Sequence, residues 1–113
     1  MKALSIAWAL VILALCSIPS PSIPDAAIFG FDKVGHFGMF FVGSLLWLRA
    51  WPQRPLRVVA AGLAFSVGTE LYQGVMPFLG RSADPFDVVA DVLGLLLGLA
   101  LWLWWQRRPT AVA

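Results

Sequence analysis

Apolar residues occur in four long segments, and stretches rich in proline or polar residues separate them. The segments are continuous apolar runs rather than strict alternations of apolar and polar positions, and at this length such runs favour helices over strands. The breaks include SIPSPSIP after the first segment and WPQRP after the second, both typical of connections that leave a helix. The pattern predicts helices over about residues 3–18, 33–50, 57–74 and 85–105.

Composition indicates the solvent in which these helices fold. The chain has 113 residues, of which 60% are hydrophobic and 12% charged, and its mean hydropathy is +0.84. A soluble domain of this composition would expose large apolar surfaces, so a bilayer is the expected environment. We therefore predict an all-α fold, an integral membrane four-helix bundle formed by a single domain of residues 1–113. The one cysteine, Cys16, excludes an internal disulfide and a cysteine-based zinc site.

The first segment allows two interpretations. Lys2 followed by an apolar run fits a cleaved signal peptide, and a helix of about 24 Å is short for a membrane span. Against cleavage, the prolines of SIPSPSIP crowd the place of a cleavage site, and Leu15 rather than a small residue precedes Cys16, which weakens the lipoprotein variant. We expect a retained helix.

The basic residues predict the orientation of the bundle. With a cytoplasmic N-terminus and four crossings, six of the eight fall on the inner side: Lys2, Arg49, Arg54, Arg57, Arg107 and Arg108. The acidic residues fall on the outer side or in the outer halves of helices. Because positive charges favour the cytoplasmic side, we predict a multi-pass protein of the cell inner membrane with both termini cytoplasmic. All six tryptophans lie near the predicted inner ends, where an indole can anchor at the headgroup level.

Helical angles, at about 100° per residue, place the polar residues on narrow stripes. The stripe on the fourth helix consists of Asp84, Asp87, Asp91, Gly94 and Gly98. The stripe on the third consists of Gly62, Ser66, Glu70 and Gln73, and that on the second of Asp32, Lys33 and His36 above Gly43. Small residues let helices approach closely, and lipid does not tolerate carboxylates. The stripes should therefore face one another and form a polar pocket at the outer end.

Nine residues are candidates for ligand binding at that end: Asp32, Lys33, His36, Glu70, Gln73, Arg81, Asp84, Asp87 and Asp91. Asp84, before Pro85, and Asp87, in the first turn, also suit structural roles as an N-cap and a partner of the helix dipole. Glu70 and Asp91 have no such capping role, and ionisable residues at membrane depth are functional candidates by default. Together with His36, they are the candidate catalytic or titrating residues.

The candidate set has an excess of negative charge. Its five acids exceed Lys33 and Arg81 by three formal charges. Burying that excess unpaired is untenable, so some acids are protonated, water reaches the pocket, or a cation binds there. No EF-hand, zincin or phosphate-cradling pattern is present, and Ser66 and Ser82 lack the setting of a hydrolase nucleophile. These absences weaken the cation alternative, so we predict no metal and no cofactor. We also predict no nucleic-acid partner.

The order of these residues resembles the VanZ-like family of small bacterial membrane proteins. The pattern runs from Asp32-Lys33-x-x-His36 through Glu70-x-x-Gln73 and Arg81 to Asp84-x-x-Asp87, with Gly94 and Gly98 beyond, over about residues 32–98. The family usually has asparagine where this chain has Asp91, so an ionisable carboxyl replaces a neutral amide. The resemblance implies a multi-helix inner-membrane protein linked, through the family's namesake, to resistance against a lipid-tailed glycopeptide antibiotic.

Three functions are compatible with the sequence. The leading one is a cell-envelope factor that binds membrane lipids, specifically a polar headgroup such as a lipid-linked glycan or phosphate, through Lys33, His36 and Arg81. The second is a membrane-embedded enzyme using acid–base or cation-assisted chemistry on such a lipid, with Glu70 or Asp91 as base. The third is proton-linked passage, which four short helices would form only as a homo-oligomer.

Overall fold

The chain folds into four α-helices. The structure is a computed structural model that describes residues 2–17, 32–76 and 85–108. The helices are α1 (Lys2–Cys16), α2 (Asp32–Ala50), α3 (Pro55–Val75) and α4 (Pro85–Arg107). Each begins and ends within two residues of its predicted bounds, which confirms the all-α prediction.

Proline sets the start of two helices. Pro55 and Pro85 are the first residues of α3 and α4, where a missing N–H costs nothing and the fixed φ suits the helix. The turn before α3 is closed by the backbone N–H of Arg54, which donates to the carbonyl of Trp51 at 3.3 Å. This short turn makes α2 and α3 antiparallel neighbours, as the WPQRP sequence predicts.

The most extensive helix contact joins α2 and α4, which are not consecutive. Small residues allow it: Gly94 lies against the backbone of Phe37 and Phe41, and Gly98 lies against Ser44. Because these contacts follow the same order along both helices, α2 and α4 run parallel. Their first turns therefore meet at one end of the bundle, and the end of α3 joins them there.

Many large apolar side chains face outward, and many polar side chains are buried. Large apolar side chains such as Leu56, Leu71 and Phe86 are 76%, 59% and 70% exposed. In contrast, the buried polar residues are Ser5, His36, Ser44, Ser66, Thr69, Glu70, Gln73, Asp87 and Asp91. The predicted stripes thus face protein wherever the structure describes them. Such a distribution suits surroundings of lipid, in which polar groups must find partners within the protein.

An apolar core fills the middle of the bundle. Phe40, Trp47 and Phe65 pack with ring centroids 5.9 to 6.3 Å apart. Trp47 is only 9% exposed, and its indole N–H donates to the carbonyl of Ser5 at 3.1 Å. The prediction that all six tryptophans anchor at the headgroup level is therefore wrong for Trp47, because this indole joins α2 to α1 instead.

Two of the described helices are long and apolar enough to cross a membrane, namely α3 and α4. α1 has 15 residues, about 22 Å of helix, against a hydrocarbon thickness of about 30 Å. α2 has 19 residues but includes Asp32, Lys33 and Arg49. Length and composition therefore support membrane association, while four crossings stay a prediction.

Candidate functional site

The candidate site lies where the first turns of α2 and α4 meet the last turns of α3. His36 projects from α2, Glu70 from α3, and Asp87 and Asp91 from α4, and all four are buried. Asp87 and Asp91 are one helical turn apart, so they share a face of α4. The close approach of α2 and α4 at Gly94, one turn further along α4, allows that face to reach His36.

Asp91 is the centre of the hydrogen-bond network. It is fully buried, and its Oδ1 lies 2.8 Å from Nδ1 of His36. Its Oδ2 accepts a hydrogen bond of 2.6 Å from the hydroxyl of Ser66. The carboxylate therefore joins α2, α3 and α4, and both of its oxygens have partners. A carboxylate at Nδ1 fixes the orientation of an imidazole ring.

The opposite nitrogen of His36 faces the first turn of α4. Nε2 lies 3.7 Å from Oδ2 of Asp87. The other oxygen of Asp87 is paired with the ammonium group of Lys33. The side chain of Lys33 is 34% exposed and that of Asp87 is 8% exposed, so the cluster reaches the exterior at Lys33.

Glu70 completes the cluster from α3. Its side chain is buried, and one carboxylate oxygen lies within 4.8 Å of ligand atoms of both His36 and Asp87. Among the described residues of the cluster, three carboxylates are set against the single ammonium of Lys33. The formal charge is −2 with a neutral imidazole and −1 with a protonated one. Part of the predicted negative excess is therefore present in the folded site.

The remaining predicted site residues lie apart from this cluster or outside the part of the chain that the structure describes. The amide of Gln73 donates to the carbonyl of Cys16 at 3.0 Å and so ties α3 to α1. Arg81, Asp84 and the side chain of Asp32 lie outside the described residues, so their predicted roles stay predictions. The outward polar pocket also stays a prediction.

Ser66 has a role that the sequence did not indicate. It lies one turn before Glu70 on the same face of α3, and its hydroxyl donates to Asp91 rather than to His36. A serine nucleophile needs its hydroxyl hydrogen-bonded to the base. The trio of Ser66, Asp91 and His36 is thus an arrangement that orients the imidazole, not a nucleophilic triad.

A separate cavity of about 410 Å³ lies at the opposite end of the bundle. Its walls are mostly apolar, with Trp47, Trp51 and Phe65 among them, and Arg54 and Arg57 also line it. Along α2, Trp47 is about 16 Å from His36 at the rise of a helix. This cavity is therefore distinct from the polar cluster.

Comparison with known proteins places the chain in a family. Residues 3–106 match the VanZ/LLP1 family, which extends the sequence resemblance to α1. An uncharacterized protein of Schizosaccharomyces pombe is 33% identical over 82 residues, which are 68% of this chain and 49% of that protein. The chain thus spans about half the length of this curated relative. No solved structure matches the chain. With almost the whole chain matched, the protein belongs to the VanZ-like family.

Proposed function

We propose that this protein is a multi-pass integral membrane protein of the cell inner membrane. Its four helices cross the bilayer with both termini in the cytoplasm and the polar cluster toward the outside. The exposed apolar flanks and buried polar groups support this assignment. The helix directions also support it, because they bring Lys2, Arg49, Arg54 and Arg57 to the end opposite the cluster.

The function that this geometry supports best is binding of the polar headgroup of an envelope lipid, such as a lipid-linked glycan or phosphate. One observation carries it: the side chain of Lys33 is 34% exposed, and its ammonium pairs with Asp87 at the edge of a buried network of His36, Asp87 and Asp91. The buried network holds Lys33 in place, and a phosphate oxygen or sugar hydroxyl can approach it from the exterior. Through such binding the protein would contribute to envelope homeostasis or glycopeptide resistance.

The test is headgroup affinity of the purified protein in phosphatidylcholine nanodiscs. The probe is a short-chain phosphatidate, compared with the diacylglycerol of the same chains. We expect phosphatidate to bind at least about 10-fold more weakly to Lys33→Ala, because a hydrogen bond to a charged group contributes about 1.5–3 kcal/mol. Arg81→Ala should behave similarly, and Lys2→Ala, at the other end, is the matched control. Equal affinity of wild type and Lys33→Ala would contradict the proposal.

The His36 geometry favours a second candidate, acid–base catalysis on such a lipid. A buried carboxylate 2.8 Å from Nδ1 orients the imidazole, as in sites where the other nitrogen exchanges a proton with substrate. In this case Glu70→Gln should abolish turnover of the lipid while its binding survives. Loss of binding in the same variant would instead indicate a purely binding role.

A further inference from the structure

We propose that His36, Glu70 and Asp87 bind one divalent transition-metal ion of the zinc class. The three residues come from three different helices, and their candidate ligand atoms all lie within 4.8 Å of one another. Each side chain is buried, with 4%, 4% and 6% of its residue exposed. This inference goes beyond headgroup binding and does not depend on it.

The orientation of His36 is the second, independent observation that points to a metal. In the neutral tautomer whose Nδ1 donates to Asp91, Nε2 carries a lone pair, and that nitrogen lies 3.7 Å from Oδ2 of Asp87. Two electron-pair donors that face each other in a buried site are stabilised by a cation between them. A carboxylate behind a ligating imidazole is the usual support of metal-binding histidines, since it fixes the tautomer and raises the basicity of the ligand.

The donor set selects the class of ion. Two carboxylates alone would suit Mg²⁺ or Ca²⁺, but an imidazole nitrogen favours zinc and its neighbours among the transition metals. Zinc bonds to these ligands are about 2.0–2.2 Å long, which places tetrahedral ligand atoms about 3.4 Å apart. The present limit of 4.8 Å exceeds this separation by about 1.4 Å, so binding would require side-chain rotations that draw the ligand atoms together. A charge of +2 would also offset the net −2 of the cluster with its neutral imidazole.

The direct test uses the single histidine of the chain. The protein, purified through a tag that lacks histidine and carrying Cys16→Ser, is labelled with ¹⁵N-histidine and treated with a chelator in phosphate-free detergent. On addition of zinc chloride to one equivalent, we expect the Nε2 resonance to shift while Nδ1 keeps its proton. An unchanged Nε2 resonance at excess zinc, or a ring protonated on both nitrogens in the zinc-saturated sample, would overturn the inference.

Equilibrium dialysis against zinc supplies the stoichiometry and the ligand assignment. We expect one ion per wild-type chain and at least about 100-fold weaker binding by Glu70→Gln and by His36→Ala. Asp91→Asn, which alters the support of the ring, should weaken binding by about 10- to 100-fold. Thr69→Val is the matched control, because Thr69 is buried beside Glu70 and its hydroxyl donates to the carbonyl of Ser66. Wild-type affinity for zinc in folded Glu70→Gln and His36→Ala would overturn the assignment. Because the samples contain no phosphate lipids, this result is independent of headgroup binding.

Discussion

Replacing Gly94 by alanine tests the packing that brings the site together. The added methyl carbon would lie 2.4 Å from the carbonyl oxygen of Phe37 and 2.9 Å from the backbone nitrogen of Phe41. These distances are 1.0 and 0.5 Å short of the 3.4 Å at which ordinary contact begins. Both neighbours are backbone atoms, so no side-chain rotation relieves the clash, and α2 and α4 must separate.

The expected cost follows from two opposing effects. Overpacking costs about 1–3 kcal/mol, whereas the better helix propensity of alanine returns about 1 kcal/mol. We expect Gly94→Ala to be less stable than wild type by up to about 2 kcal/mol. The midpoint of thermal unfolding, followed by circular dichroism in micelles, should fall by roughly 4–8 °C for each kcal/mol lost. Because the helices separate, the hydrogen bond between His36 and Asp91 should also weaken. The ¹⁵N resonance of Nδ1 of His36 should shift accordingly.

Gly68→Ala is the matched control for this experiment. Gly68 lies on α3, and a methyl group there meets nothing within 4 Å. Its expected effect is neutral or stabilising, by up to about 1 kcal/mol. A Gly94→Ala protein as stable as Gly68→Ala, with the His36 resonances unchanged, would refute the close approach of α2 and α4.

Further variants test two of the hydrogen bonds that α3 makes to its neighbours. Ser66→Ala removes the donor to Oδ2 of Asp91 and leaves a buried acceptor, so we expect a loss of about 1–3 kcal/mol in thermal unfolding, and an unchanged midpoint would refute the network. Gln73→Leu removes the donor to the carbonyl of Cys16. As a residue, Cys16 is 2% exposed. Alkylation of Cys16 by a maleimide should accelerate by about 5- to 10-fold, as expected for a lost hydrogen bond of about 1–1.4 kcal/mol. A wild-type rate in Gln73→Leu would mean that this bond does not hold α1 against α3.

The helices and their buried faces are predictable from the sequence because local signals specify both. Prolines and polar breaks mark the helix ends, and the helical spacing of Gly62, Ser66 and Glu70 is enough to identify the buried face of α3. Burial of a stripe, however, does not reveal which neighbour covers it. Loop length makes consecutive helices adjacent, yet the most extensive contact joins α2 to α4.

Individual partners are less predictable than faces. The charge of Lys33 suits a counter-ion, but its pairing with Asp87 depends on the axial offset between α2 and α4. The role of Asp91 as the support of His36 and the contribution of Ser66 depend on the same offset and on side-chain rotamers, neither of which a helical projection contains. The prediction for Trp47 fails for a related reason, because only the position of α1 supplies the acceptor for its indole.

The sidedness of the polar cluster in intact cells decides whether the site faces outward. In a Cys16→Ser background, a membrane-impermeant thiol reagent is applied to Lys33→Cys, at the cluster, and to Arg108→Cys, at the opposite end. An outward-facing site predicts labelling of Lys33→Cys in intact cells and of Arg108→Cys only after permeabilisation. Labelling of Arg108→Cys from outside, with Lys33→Cys protected until permeabilisation, would contradict an outward-facing site.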